Sequence, residues 1–123
     1  MKKLFLVCLM MLASSAWAEW VMYEESDSAT HYFDPATIRK DGNLRRVWEL
    51  QDLRKRGRVG EMSRRMRIEY DCKQERSRFL GISGHSKSMA DGEILETGGE
   101  DNVWQAIPPG TSLETIFNIV CAK

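Results

Sequence analysis

The sequence predicts a small α+β domain: a single antiparallel sheet of about six strands, with a C-terminal helix packed on one face and tethered by a disulfide. Three observations carry this. Ser63–Cys72 alternates strictly, with Met66, Ile68, Tyr70 and Cys72 on one side and Arg65, Arg67, Glu69 and Asp71 on the other. That is the period of a strand with one buried and one wet face. Near the C-terminus, Leu113, Ile116, Phe117 and Val120 recur at helical spacing and make one apolar stripe. Cys72 and Cys121 lie in these two segments and are the only cysteines outside the N-terminal leader.

Residues 1–18 read as a signal peptide. Lys2 and Lys3 form a positive start, Leu4–Leu12 an apolar run, and Ala16-Trp17-Ala18 a small-x-small cleavage site. The apolar run is too short to span a bilayer as a mature helix. Cys8 lies within that run, lacks a lipidation context and is expected to leave with the leader. Cleavage after Ala18 leaves one domain, residues 19–123, and places it in the periplasm or outside the cell. Removing Lys2 and Lys3 takes the formal charge from zero to two negative. Near-neutrality argues against a dedicated nucleic-acid binder.

Export also decides the cysteines. In an oxidising compartment Cys72 and Cys121 read as a disulfide, and the loop it closes is worth roughly 4 kcal/mol in the chain-entropy model. The alternative, a metal site, needs three or four ligands, and His31 and His85 have no ligand-like spacing to the cysteines.

The elements follow in order. Trp20–Tyr23 opens as a strand, Glu24–Ala29 turns, and Thr30–Phe33 returns as the second arm of a hairpin. Asp34-Pro35 starts a helical turn, with Asp34 capping free amides and Pro35 at a position whose N–H the turn does not need. Asp41-Gly42-Asn43 turns into a third strand, Leu44–Leu53, in which Trp48 and Leu50 are expected to point inward. Lys55–Gly60 is a basic loop and Ser63–Cys72 returns antiparallel, completing the longest hairpin. Arg76–Ser83 follows, with Gly81 and Gly84 marking a bulge or irregular end, and then a short strand at Glu93–Thr97. Residues 98–110 read as irregular, with Trp104 and Ile107 covering one end of the core. Thr111 and Glu114 form a capping box at the start of the last helix.

Little of this is chemistry. His31 and His85 are the only neutral-pH bases, neither has an assignable nucleophile, and each reads as a surface or strand histidine. No carboxylate pair or phosphate-binding glycine loop stands out, so no catalytic residue is nominated. The exception in charge is the stretch holding Arg54, Lys55, Arg56, Arg58, Arg64, Arg65 and Arg67, opposed by Glu61 alone. Such a hairpin can grip sulfated sugars, phosphates or acidic protein segments, because arginine's planar fork donates two bonds to these groups. Its plainer reading is a solvated hairpin whose charges blunt edge-to-edge strand pairing. Open sheet edges also make a homodimer through one edge reasonable.

Six stretches resemble a known family. Glu19-Trp20-Val21, then Tyr32–Gly42 (YFDPATIRKDG), then Arg46–Leu50 (RVWEL) are similar to the opening of surface-adhesin protein E domains. Ile68–Cys72 (IEYDC), Ile107–Thr111 (IPPGT) and Ile119-Val120-Cys121 resemble the remainder. The resemblance covers essentially all of residues 19–123. It implies an antiparallel sheet with a disulfide-tethered helix, a secreted, periplasmic or surface location in a Gram-negative bacterium, and no cofactor. It also implies an exported, non-enzymatic module that binds host extracellular-matrix or envelope macromolecules; together with the basic hairpin, the expected partner is a protein or an anionic polysaccharide. No lipid-attachment cysteine stands at the expected mature N-terminus, which argues against surface display and for a periplasmic soluble protein; the alternative function is a periplasmic structural or accessory protein of the envelope without adhesive activity.

Overall fold

A computed structural model of the chain describes residues 19–99 and 101–122; the leader reading of residues 1–18 lies outside them. The strands are β1 (Val21–Glu25), β2 (Ala29–Phe33), β3 (Arg39–Asp41), β4 (Leu44–Leu53), β5 (Ser63–Asp71), β6 (Arg76–His85), β7 (Ile94–Gly98) and β8 (Gln105–Ala106), followed by one helix, α1 (Ser112–Val120). They form one antiparallel sheet in the order β1-β2-β4-β5-β6-β7, with β3 added to β4 and β8 to β6. The sheet therefore has eight strands, two more than the sequence pattern suggests. The additions, β3 and β8, are three and two residues long, too short to display an alternation.

Local chemistry sets the connections. Asp34 Oδ1 accepts from the Ala36 amide at 3.0 Å and caps the 3-10 turn Pro35–Thr37. At α1 the Thr111 side chain accepts from the Glu114 amide at 3.3 Å, but Glu114 Oε1 accepts from the Gly110 amide instead of Thr111's own. In β6 the register slips by one residue between Gly81, paired with Arg67, and Phe79, paired with Ile68. Leu80 is the extra residue of this bulge, next to the glycine that signals it.

The main core joins Phe33, Val47, Met66, Ile68 and Tyr70 of the sheet to Ile116, Phe117 and Val120 of α1. Cys72 and Cys121 are disulfide-bonded, with their Cα atoms 5.6 Å apart. Register then corrects the reading of β4. Val47 lies opposite Ile68 and Glu49 opposite Met66, so it is Val47 that enters this core. Trp48, opposite Arg67, and Leu50, opposite Arg65, point to the other face. Trp48 is only half-buried there, while Leu50 is fully buried. Sequence parity is ambiguous because β4 buries side chains on both faces. On the second face a 3-10 turn at Ser88–Ala90 lies across β4 and β5. It is pinned by Ser63 Oγ donating to Lys87 O (2.6 Å), by the Ala90 amide donating to Ser63 Oγ (2.9 Å), and by the Met89 amide donating to Asp52 Oδ1 (3.0 Å).

Glu69 and Asp71, expected on a wet face, are buried. Partners compensate for their desolvation. Arg46 and Arg78 bind Glu69 at 2.7 and 2.6 Å, and Arg76 binds Asp71 at 3.1 Å.

Candidate functional site: the hairpin end and the two sheet faces

The basic stretch occupies the end of the β4–β5 hairpin, and Glu61 gives it its shape. Glu61 is buried; its Oε1 accepts from the Val59 amide at 3.1 Å and its Oε2 from Arg64 Nε at 3.0 Å. Burial pushes this carboxyl up, but its own amide, Arg64 and Val59 outweigh that and hold it below the usual range. Two backbone bonds, Gly57 N to Glu61 O (2.8 Å) and Gly60 N to Gly57 O (3.0 Å), close the loop. Arg56 Nη1 donates to Gly60 O at 2.9 Å, and Arg54 Nε to Ser26 O at 3.1 Å. Arg54, Lys55, Arg56 and Arg58 are exposed around this frame.

The seven predicted basic residues do not make one surface. Arg64, opposite Gln51, shares the face of Met66, and with Arg54, Lys55, His31, Gln51 and Leu53 it lines an open cleft of about 520 Å³. Arg65 and Arg67 project from the opposite face. There the Arg65 guanidinium lies 4.4 Å over the Trp48 ring.

Both histidines are strand residues and buried, not at the surface: His31 in the middle of β2, His85 at the end of β6. Burial lowers the His31 pKa against a weaker pull from Glu24. Burial, then Arg65, lowers that of His85, whose Nε2 lies 2.8 Å from Ser83 Oγ. Among the described residues no group of three His, Cys, Asp or Glu is arranged to hold a metal ion.

Sequence reasoning missed the carboxylate in the main core. Glu49 is buried, with Tyr23 donating to its Oε1 at 3.2 Å and Tyr70 to its Oε2. Burial raises its pKa to about 7 despite those two bonds. The one available signal was parity: Glu49 is two residues from Val47 and so shares its face.

Fold and surface together define a disulfide-tied sheet-and-helix domain that presents basic and aromatic surfaces for contact. A sequence model of the family described as Surface-adhesin protein E matches residues 20–122, and the chain belongs to that family. No curated protein sequence matches it. Among solved structures it is similar to Haemophilus influenzae protein E in crystal form II, with a TM-score of 0.70 and 14% identity over 89% of this chain and 91% of that one. A second structure of the same protein gives 0.69 and 14% over 89% and 88%. Protein E from non-typeable Haemophilus influenzae gives 0.67 and 14% over 89% and 79%. At this identity the likeness is one of fold. No described helix is long and apolar enough to cross a membrane.

Proposed function

We propose that the chain is an exported, non-enzymatic binding module that engages an acidic segment of a host extracellular or envelope protein at the end of its longest hairpin. Family membership supports a binding role. The observation that carries the location is the cleft beside Arg54, Lys55 and Arg64, where a buried Glu61 holds the loop and leaves basic side chains at the surface. Preorganised guanidinium groups recognise carboxylates with little added ordering cost. In this reading α1 covers one face of the sheet, the leader is cleaved after Ala18, and the mature protein is periplasmic or secreted. Self-association, if the protein dimerises, uses the outer strand β7, whose Ile94 and Leu95 are exposed.

The test is Arg54→Ala with Lys55→Ala, both of which line the cleft, assayed for retention on an immobilised matrix protein. A loss of binding, steepest at low salt, is expected. Unchanged retention removes the hairpin end from the proposal. Fractionation of the exporting cell addresses location: protein confined to the periplasm rules out direct adhesion and leaves the envelope-accessory role.

A further inference from the structure

The face of the sheet that carries Trp48 has a charge pattern that nothing in the hairpin reading uses. Register places Arg39 opposite Arg46, Arg46 opposite Glu69 and Glu69 opposite Arg78, in one row across β3, β4, β5 and β6. The next row holds Trp48 and Arg67, and the one after it Leu50 and Arg65. Like charges directly opposite one another destabilise a sheet. Here Arg39 faces Arg46, and the single carboxylate in these rows, Glu69, is already bonded to Arg46 and Arg78. No such partner among the described residues reaches Arg67.

Clefts follow the same rows. One, of about 250 Å³, is walled by Arg46, Arg67, Glu69, Arg78 and Asn102. A second, of about 200 Å³, shares Arg46 and Arg67 with it and adds Arg39, Thr37 and Trp48. A third, of about 180 Å³, shares Thr37 and Trp48 with the second and adds Trp20, Arg65 and Asp34, a buried carboxylate that accepts from the Ala36 amide. Each cleft thus shares walls with the next, the first two lined mainly by guanidinium groups and the third by two tryptophans with Arg65 and Asp34. Stacking keeps its donors in place: Arg65 lies over Trp48, and Arg76 and Arg78 lie 4.6 and 4.5 Å from the Trp104 ring centre. A stacked guanidinium keeps its N–H edges available for an oxyanion.

We propose that this face binds a linear sulfated polysaccharide, its anionic groups held by Arg39, Arg46, Arg67 and Arg78, with Arg65 on Trp48 as a further anion contact and its sugar rings lying along Trp20. A single small anion would need one cleft, whereas three that share walls suit a polymer charged at intervals. Fixed planar forks suit the oxyanions of sulfate groups. The chain's formal charge of zero argues for local recognition over the broad basic surface a nucleic-acid binder presents.

The experiment is calorimetric titration of the full chain with size-defined heparin oligosaccharides. Arg39→Ala with Arg67→Ala is expected to weaken binding about tenfold or more, as two charge-assisted contacts are lost. Arg67→Lys keeps the charge, loses the fork and should fall between. Lys55→Ala with Arg58→Ala, at the hairpin end, should bind as the unaltered protein does. Desulfated heparin should not bind. Circular dichroism and melting temperature identify a variant that fails to fold, and Arg67→Lys then carries the test. Unchanged affinity in Arg39→Ala with Arg67→Ala overturns the proposal, as does loss confined to the hairpin-end variant, which would instead support the hairpin reading. Equal affinity for desulfated heparin, or tighter binding of single-stranded oligothymidylate, overturns the ligand class.

Discussion

Replacing Glu49 by glutamine should change how stability depends on pH more than it changes the fold. Glu49 is buried, with Tyr23 and Tyr70 donating to its two oxygens, and its pKa is raised from 4.5 to about 7. A carboxyl with a raised folded-state pKa binds a proton more tightly when folded than when unfolded. Its contribution is therefore fully present below the unfolded value near 4.5 and is lost as pH rises to about 7. A shift of this size corresponds to about 3 kcal/mol across the window. His31 and His85 act oppositely: their lowered pKa values add stability as pH rises through the imidazole range. They are unchanged in the variant, so a difference measurement cancels them. Glutamine is neutral throughout; its amide oxygen accepts from one tyrosine while its NH2 donates to the other's oxygen. Urea unfolding of both proteins from pH 4.5 to 8, with the disulfide intact, gives the comparison. The variant's stability relative to the unaltered protein should rise by about 3 kcal/mol over that range. A difference that stays constant with pH would show that Glu49 is not held in a proton-retaining site, and the argument from its burial would fail.

Other perturbations read out separate parts of the structure. Cys72→Ser with Cys121→Ser opens a link 49 residues apart in sequence, which should cost about 4 kcal/mol. Thermal melting should record that as a fall on the order of 20 °C. Glu69→Ala strips the shared partner from Arg46 and Arg78. Because the Arg46 side chain is 42% exposed, the loss by urea unfolding should be below that of a fully buried pair. Gly57→Ala brings a methyl group against the Glu61 carboxylate, which cannot move without releasing Val59 and Arg64. A loss of about 1 kcal/mol is expected, with faster tryptic cleavage at Arg56 and Arg58.

The fold was legible wherever the deciding interaction was local. The alternation of β5, the stripe of α1, the Asp34 and Thr111 caps and the glycine beside the β6 bulge are each set by residues within a few positions of one another. The Cys72–Cys121 pairing was legible too, because no third cysteine lies in residues 19–123 to compete for it. The candidate surface was legible only as a run of basic residues. Its division between two faces depends on parity within β5, which was readable. Its union with Arg39, Arg46 and Arg78 depends on which strands lie side by side, which was not.

By itself the sequence determined the six longer strands and the helix, the cross-link and the family. Tertiary structure alone decided that Val47 and not Trp48 meets the helix, that Glu49 and Glu69 are buried with partners, and that arginines from four strands share one face. The reason is physical: a strand's own residues specify which side chains alternate, but burial and charge pairing are properties of register. Register is set by the summed fit of every strand to its neighbours.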